Sequence, residues 1–249
     1  MPLVSIITPM FNCSSTIIDT YQSILEQSYS DWEWLITDDC SSDNSVAILK
    51  EISKFDERVK ISVNSSNLGA AHSRNNSIAR AKGDFIAFLD SDDLWLPKKL
   101  EKQILFMGNN IDFSFTSYEM INESGLKLGL NVDITNGSVF TYEDMLRKKA
   151  TLGCSTVMLR KAAFDDLTMP LLRTGQDFAL WLKLLKSNKK AYKLNECLML
   201  YRVMPNSISR NKIKKALRQW EIYRKLERLS LFKTIICFCY YTKNALFRS

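Results

Sequence analysis

One histidine in 249 residues, His72, and six cysteines without a single C-x-x-C pair (Cys13, Cys40, Cys154, Cys197, Cys237, Cys239) leave nothing from which a classical zinc site is easily built. No G-x-G-x-x-G follows the first apolar run and no G-x-x-x-x-G-K-[ST] occurs anywhere, so dinucleotide and P-loop phosphate binding lack their motifs. The segment after that run, Pro9-Met10-Phe11-Asn12-Cys13-Ser14, has no glycine, which disfavours a sugar-nucleotide pyrophosphorylase. The longest apolar stretch, 231–241, is interrupted by Lys233. It falls short of the ~20 apolar residues of a spanning helix, so no transmembrane segment is expected. The chain opens on Val4-Ser5-Ile6-Ile7 without a charged-then-apolar leader. Its cysteines are therefore expected as free thiols in a reducing cytosol, with Cys40 and Cys154 buried.

What is present is ordinary globular composition, 46% hydrophobic and 24% charged, which excludes disorder and low complexity. The net charge of +7 is unevenly placed. Residues 211–249 hold ten Lys/Arg and two Asp/Glu, whereas residues 1–210 hold 24 basic and 25 acidic side chains. A neutral body argues against nucleic acid as a partner, and a basic tail argues for an anionic one.

Apolar β-branched runs alternate with helix-period segments from the start. Strands are predicted at 3–8, 33–37, 59–63, 85–89 and 111–116, with helices at 16–27, 44–55 and 70–82 and another opening at Pro97. Thr16-x-x-Asp19 reads as a capping box, and Gly83 as the C′ residue that stops the third helix. Such alternation predicts an α/β fold with a mainly parallel sheet and helices on both faces. Further on, 122–137 reads as a hairpin or loop, 141–149 as a short helix, 153–159 as a strand, 177–187 as a helix and 193–201 as a strand. This half reads as an appended lobe.

In open parallel sheets ligands bind beyond the carboxyl ends of the strands. Thr8-Pro9 to Asn12, Asp38-Asp39 and Asp90-Ser91-Asp92-Asp93 fall at three such ends. Carboxylates gathered there are costly unless a cation joins them, and oxygen ligands without Cys or His favour Mg²⁺ or Mn²⁺. Plainer readings stand beside this one: Asx-turns at Asp38-Asp39, a helix cap at 90–93, an N-cap at Asp177 and a surface ion pair at Arg74.

The runs Val4–Asn12, Asp38-Asp39-Cys40-Ser41-Ser42-Asp43, Asn67-Leu68-Gly69-Ala70-Ala71-His72-Ser73-Arg74-Asn75 and Phe88-Leu89-Asp90-Ser91-Asp92-Asp93 resemble, in order and spacing, the motifs of family 2 glycosyltransferases. The resemblance covers about residues 1–210 and is nearest to bacterial enzymes of teichuronic acid, capsule or O-antigen synthesis. It implies a GT-A fold, a Rossmann-like sheet with an acceptor lobe, and an inverting, metal-dependent (Mn²⁺ or Mg²⁺) transfer from a nucleotide-diphosphate sugar, UDP being favoured. Residues 1–117 would be the nucleotide-sugar half, 118–210 the acceptor half and 211–249 a basic amphipathic tail. Carried over by position, the resemblance gives Pro9 and Phe11 a wall around the base, Asp39 a hydrogen bond to it, and Arg74 a place near the diphosphate or base. Asp90 and Asp92 would form the D-x-D pair, Asp92 as the main metal ligand and Asp90 nearer the ribose, and Asp93 would touch the donor sugar. Asp177 would be the general base.

Two positions depart from the family pattern: Gln176 stands where Glu is usual, and Met204 where the tail motif Tyr201–Ser209 has a histidine. They motivate an alternative, a non-catalytic nucleotide-sugar-binding or scaffolding subunit. The Q-x-x-R-W signature of processive synthases is absent, which favours transfer of a single sugar. In the tail, Ile213, Ala216, Leu217, Trp220 and Tyr223 form one helical stripe and Ile222, Leu226 and Leu229 another. The expected partners are a sugar-nucleotide donor, a lipid-linked glycan acceptor and an anionic membrane surface. The expected place is cytoplasmic, on the inner face of the cell membrane.

Overall fold

Val4–Met10 (β1) and Trp32–Asp38 (β2) are buried at every residue, which demands cover on both faces of the sheet. They pair in parallel from Val4↔Trp32 to Met10↔Asp38. Val59–Val63 (β3) continues the parallel array beyond β2, and Phe85–Phe88 (β4) joins β1 on its other side. The connecting helices, Ile17–Leu25 (α1), Ser45–Phe55 (α2) and Ala70–Arg80 (α3), supply the cover. Side-chain alternation sends Ile6, Trp34 and Ile36 into one core layer with Ile17, Ile24 and Leu49. It sends Ile7, Leu35, Ile86 and Phe88 into the opposite layer with Ala71 and Ile78. This computed structural model describes residues 1–134, 137–186, 188–204 and 212–247.

The second half completes one ten-stranded sheet. Its elements are Leu94–Trp95 (β5), Lys99–Met107 (α4), Phe113–Ile121 (β6), Lys127–Val132 (β7), Val139–Phe140 (β8), Tyr142–Leu146 (α5), Met158–Arg160 (β9), Gln176–Leu185 (α6) and Ala191–Arg202 (β10). Strand order is β3-β2-β1-β4-β9-β6-β10-β5, with β7 on β6 and β8 on β10. β9 runs antiparallel between β4 and β6, while β10 returns parallel to β6. The α/β class holds, and the antiparallel pairs are confined to the half whose periodicity is loose. Trp181 of α6 is fully buried, meets Phe88 and Phe113 edge-on at 5.5 and 5.4 Å, and donates Nε1–H to the Leu152 carbonyl (3.2 Å). That anchor fixes where α6 begins.

Several local expectations are corrected. Thr16 does not cap α1 through its side chain; its hydroxyl donates to the Ser91 carbonyl (2.9 Å), and Asp19 pairs with Arg202 instead. A complete capping box forms at Thr141 and Asp144. Gly83 is not a C′ residue, since α3 ends at Arg80 and Ala81 is already extended. Its missing side chain serves a close approach: a Cβ there would lie 2.6 Å from Ser5 N and 2.7 Å from Leu3 O. Pro97 precedes α4 by two residues, because Leu94–Trp95 first pair with β10. The strand expected from residue 153 begins only at Met158. Cys154–Thr156 form a 3₁₀ turn, with the Thr156 hydroxyl bonded to the Gly153 carbonyl (2.7 Å) in competition with sheet pairing. All six cysteines are free; Cys154 is buried, but Cys40 is exposed at the tip of a loop.

The tail folds back on the body. Lys212–Glu221 (α7) runs into a π-helical turn, Ile222–Leu226, and then Leu231–Phe247 (α8). The stripe Ile222, Leu226 and Leu229 packs on the body, whereas the other one splits: Tyr223, inside the π turn, is buried with it, while Ile213 and Leu217 are 74% and 67% exposed. Tyr223 donates its hydroxyl to the Leu146 carbonyl (2.5 Å), and Trp220 meets Phe238 edge-on. No described helix is long and apolar enough to cross a membrane.

Candidate active site

The carboxyl ends of β1, β2 and β4 lie side by side, so the polar loops that follow them share one edge of the sheet. The first two are laced together. Asn12 and Cys40 take left-handed backbone angles (φ 48° and 67°). Asn12 N–H donates to Ser41 Oγ and receives Ser42 N–H on Oδ1, both at 2.8 Å. Asp43 accepts from Ser14 N–H (2.9 Å), Ser45 N–H (3.0 Å) and the Ser45 hydroxyl (2.5 Å). Partial burial works to raise the Asp43 pKa, but these bonds outweigh it and hold the carboxyl down at about 2. The contribution to folding is complete above the ordinary pKa near 3.8 and is lost as pH falls through about 2. Asp43→Asn is expected to cost about 1–2 kcal/mol at neutral pH, after allowance for screening, and to flatten the acid limb between pH 4 and 2 in urea melts.

Within this frame the residues singled out from the sequence take different stations. Pro9 is buried in β1 opposite Thr37, whereas Phe11 is 49% exposed, so the ring at 11 is the one that offers open surface. Asp39 is 3% exposed and accepts from Leu68 N–H (2.8 Å), Gly69 N–H (2.7 Å) and Asn64 Nδ2 (3.0 Å). Burial opposes its ionisation, yet these donors lower its pKa. It ties β2 to the loop that opens α3. Asp93, expected at the donor sugar, is 1% exposed and acts as a strut, accepting from the Ser155 hydroxyl (2.6 Å) and Arg202 N–H (3.0 Å). Burial first, then the charges of Asp92 and Asp90, push its pKa well up.

Arg74, on α3, is no surface pair: it is 4% exposed and its Nη2 binds Asp90. Its Nε and Nη1 are buried without a hydrogen-bond partner. The charges of Asp90 and Asp177 both act on it, which sets it between the acidic loop at 90–93 and the start of α6. Asp177 lies in the first turn of α6, partly exposed, and makes no hydrogen bond among the described residues. The N-cap there is Gly175, so Asp177 is not the cap. The Gln176 Oε1 beside it is buried and unpartnered.

Asp92 is partly buried, and burial together with the charge of Asp90 raises its pKa to about 6. No cluster of three or more His, Cys, Asp or Glu among the described residues is arranged to hold a metal. Asp90 and Asp92 alone are nonetheless a fitting donor set. A hard cation such as Mg²⁺ is commonly held by one or two carboxylates and completed by substrate phosphates. Its charge would relieve the repulsion that lifts Asp92.

The sequence reading gave Arg202 no role of its own. At the end of β10 it is 3% exposed and donates to the Asp92 carbonyl (2.9 Å), the Glu123 carbonyl (2.8 Å) and Asp19 (3.1 Å), while its N–H holds Asp93. It fixes the acidic loop against α1 and the turn after β6. An arginine closing the run Cys197-Leu198-Met199-Leu200-Tyr201 is the signal that marks it. Met204 follows, partly buried; Pro205–Ser209 of the tail motif lie outside the described residues.

Residues 5–168 match the sequence profile of Glycosyl transferase family 2. The chain belongs to that family. As a family 2 glycosyltransferase it is 45% identical over 245 residues to Bacillus subtilis TuaG, a glycosyltransferase assigned by name to teichuronic acid biosynthesis, covering 98% of this chain and 96% of that one. It is 40% identical over 222 residues to Escherichia coli WfgD, named a UDP-Glc:α-D-GlcNAc-diphosphoundecaprenol β-1,3-glucosyltransferase, covering 88% and 85%. In fold it is similar to S. aureus TarS solved with UDP-GlcNAc, with TM-score 0.73, 20% identity, and 89% and 64% of the two chains covered. It is also similar to the mannosyltransferase PcManGT of Pyrobaculum calidifontis solved with GDP-Man and Mn²⁺, with TM-score 0.71, 16% identity, and 96% and 69% covered. The GT-A architecture of this family 2 glycosyltransferase rests on those likenesses; its substrates do not.

Proposed function

We propose that this glycosyltransferase inverts the anomeric carbon of a UDP-sugar while moving one sugar onto a lipid-linked glycan intermediate in cell-surface polysaccharide synthesis. The observation that carries the reading is the grouping of Asp90, Asp92, Arg74 and Asp177 at the carboxyl edge of the sheet, with two nitrogens of Arg74, Nε and Nη1, left unpaired. Phe11 flanks the base, with Pro9 and Asp39 setting the floor and loop around it. Asp92, with Asp90, would hold a divalent cation, Mn²⁺ or Mg²⁺, which would supply neutralisation of charge on the diphosphate. Arg74, fixed by Asp90, directs its free N–H groups toward the leaving phosphate. Asp177 takes the proton of the acceptor hydroxyl as that oxygen bonds to the anomeric carbon and the bond to UDP breaks on the opposite face. Asp93 and Arg202 keep the acidic loop in register. The names of the relatives support a UDP-sugar donor and a diphospholipid acceptor.

Residues 1–117 serve the donor and 118–210 the acceptor. The tail, with exposed Ile213, Leu217, Phe232 and Ile235 among its ten basic residues, rests on anionic lipid at the cytoplasmic face. The test is transfer from a panel of UDP-sugars to a synthetic GlcNAc-diphosphate-lipid, with and without Mn²⁺, and product configuration read by NMR. One donor giving an inverted, metal-dependent product is the expected result. A retained configuration, or transfer unaffected by chelator, sinks the mechanism; donor binding without turnover on any acceptor favours the scaffolding alternative.

A further inference from the structure

The helices that meet at Gly175 carry polar chemistry that the transfer step does not use. Gly175 is left-handed (φ 72°), and a Cβ on it would stand 3.1 Å from Ile222 Cδ1 and 3.5 Å from Arg218 Cγ. The tail segment therefore lies directly on the start of α6. Helical spacing puts Lys215, Arg218, Gln219 and Ile222 on one face, the face that meets Gly175. Gln219 is 5% exposed and its Nε2 has no hydrogen-bond partner; across the seam, Gln176 Oε1 is buried and equally unpartnered. Arg218 is paired with Glu221. Lys215 makes no ion pair or hydrogen bond among the described residues, and the one negative charge registered at it is that of Asp177. Lys215 itself is exposed on α7; the partial desolvation it meets against α6 lowers its pKa, and the charge of Asp177 opposes this.

We propose that Lys215 binds the diphosphate of the acceptor, at a subsite on α7 beside Asp177. The inference rests on the acceptor class proposed above. In a sugar that carries diphosphate on its anomeric carbon, the attacking hydroxyl and the phosphate lie one ring apart. Seating the hydroxyl at Asp177 brings a second anion up to a carboxylate that must itself stay ionised. That encounter is unfavourable unless a cation stands beside both. Arg74 is committed to Asp90, and Arg218 to Glu221. Among the described residues Lys215 is the cation of this face left over, and the buried Gln219 amide, beside the Tyr223 hydroxyl, adds a neutral donor one turn along.

The test uses the full chain saturated with UDP and Mn²⁺, so that the donor site is filled. Geranyl diphosphate, which has no sugar, is titrated against it by calorimetry, with geraniol as the uncharged control. Binding of the diphosphate to the wild type is expected, weakened about tenfold or more in Lys215→Ala and largely kept in Lys215→Arg, with geraniol indifferent to all three. Equal affinity in Lys215→Ala, or no binding once UDP is saturating, overturns the proposal. Phosphatidylglycerol vesicles supply the other arm: if Lys215→Ala weakens vesicle binding and leaves geranyl diphosphate unchanged, the lysine serves a lipid headgroup and the subsite is wrong. UDP release with the GlcNAc-diphosphate-lipid is followed in the same proteins. A wild type that fails to transfer, while geranyl diphosphate still binds it and binds Lys215→Ala about tenfold more weakly, removes the acceptor reading and leaves the anion subsite standing.

Discussion

Asp177→Asn is expected to lower the rate of sugar transfer by about 10²- to 10⁴-fold, the ordinary worth of a positioned general base, with binding of the UDP-sugar unchanged. The substitution is nearly isosteric and removes no hydrogen bond, because Asp177 makes none among the described residues. It lies in the first turn of α6, the turn fixed in place by the buried Trp181. Gln176 cannot take over, since an amide does not accept a proton near neutral pH. Single-turnover kinetics with donor affinity measured separately would check this. A variant that transfers at the wild-type rate would remove Asp177 from the chemistry. A wild type that binds donor and never transfers would remove the chemistry itself.

How far the sequence foretells this site depends on where each constraint lives. β1, β2 and β4 were legible because strands buried on both faces read as near-continuous apolar runs, β3 because Val59, Ile61 and Val63 alternate with polar residues, and the helices between them keep a 3.6-residue period. β9 was legible only at its start, Met158-Leu159, the residues before it being a 3₁₀ turn. A three-residue strand is oriented by its neighbours, here Leu159 opposite both Ile86 and Phe113, and by the 3₁₀ turn before it. Residues 38–43 and 90–93 announce themselves because clustered carboxylates at strand ends are costly. Their division of labour is not local, however. Asp93 is a strut because Ser155 and Arg202, 62 and 109 residues away, converge on it, and Asp92 is left with the open face. Thr16 likewise has the letters of a cap, but Ser91 claims its hydroxyl from 75 residues away. In the tail one stripe holds, Ile222, Leu226 and Leu229 on the core, and the other splits where it enters the π turn at Ile222–Leu226, which brings Tyr223 onto the core side and which a periodicity count cannot see.

Asp92→Asn should separate two effects that act in opposite directions. In the metal-free protein the Asp92 carboxyl has a pKa of about 6 against an ordinary 3.8, so the folded state holds its proton more tightly than the unfolded state does. Stability therefore falls as pH rises from about 4 to about 6 and stays reduced above that. Removing the charge is expected to raise the stability of the metal-free protein at pH 7.5 by about 1–2 kcal/mol, screening allowed for, and to abolish that slope. With ligand the order reverses. Wild-type protein in Mn²⁺ and its UDP-sugar at about one hundred times Kd should gain about 2.7 kcal/mol, and the variant little or none. The crossing of the two melting series is the diagnostic result. A residue that only buttressed the loop, as Arg202 and Asp93 do, would lose stability in both series when replaced. A ligand gain that survives in Asp92→Asn would move the metal to Asp90. That carboxylate gives Oδ1 to Arg74, so its other oxygen would then have to hold the cation alone.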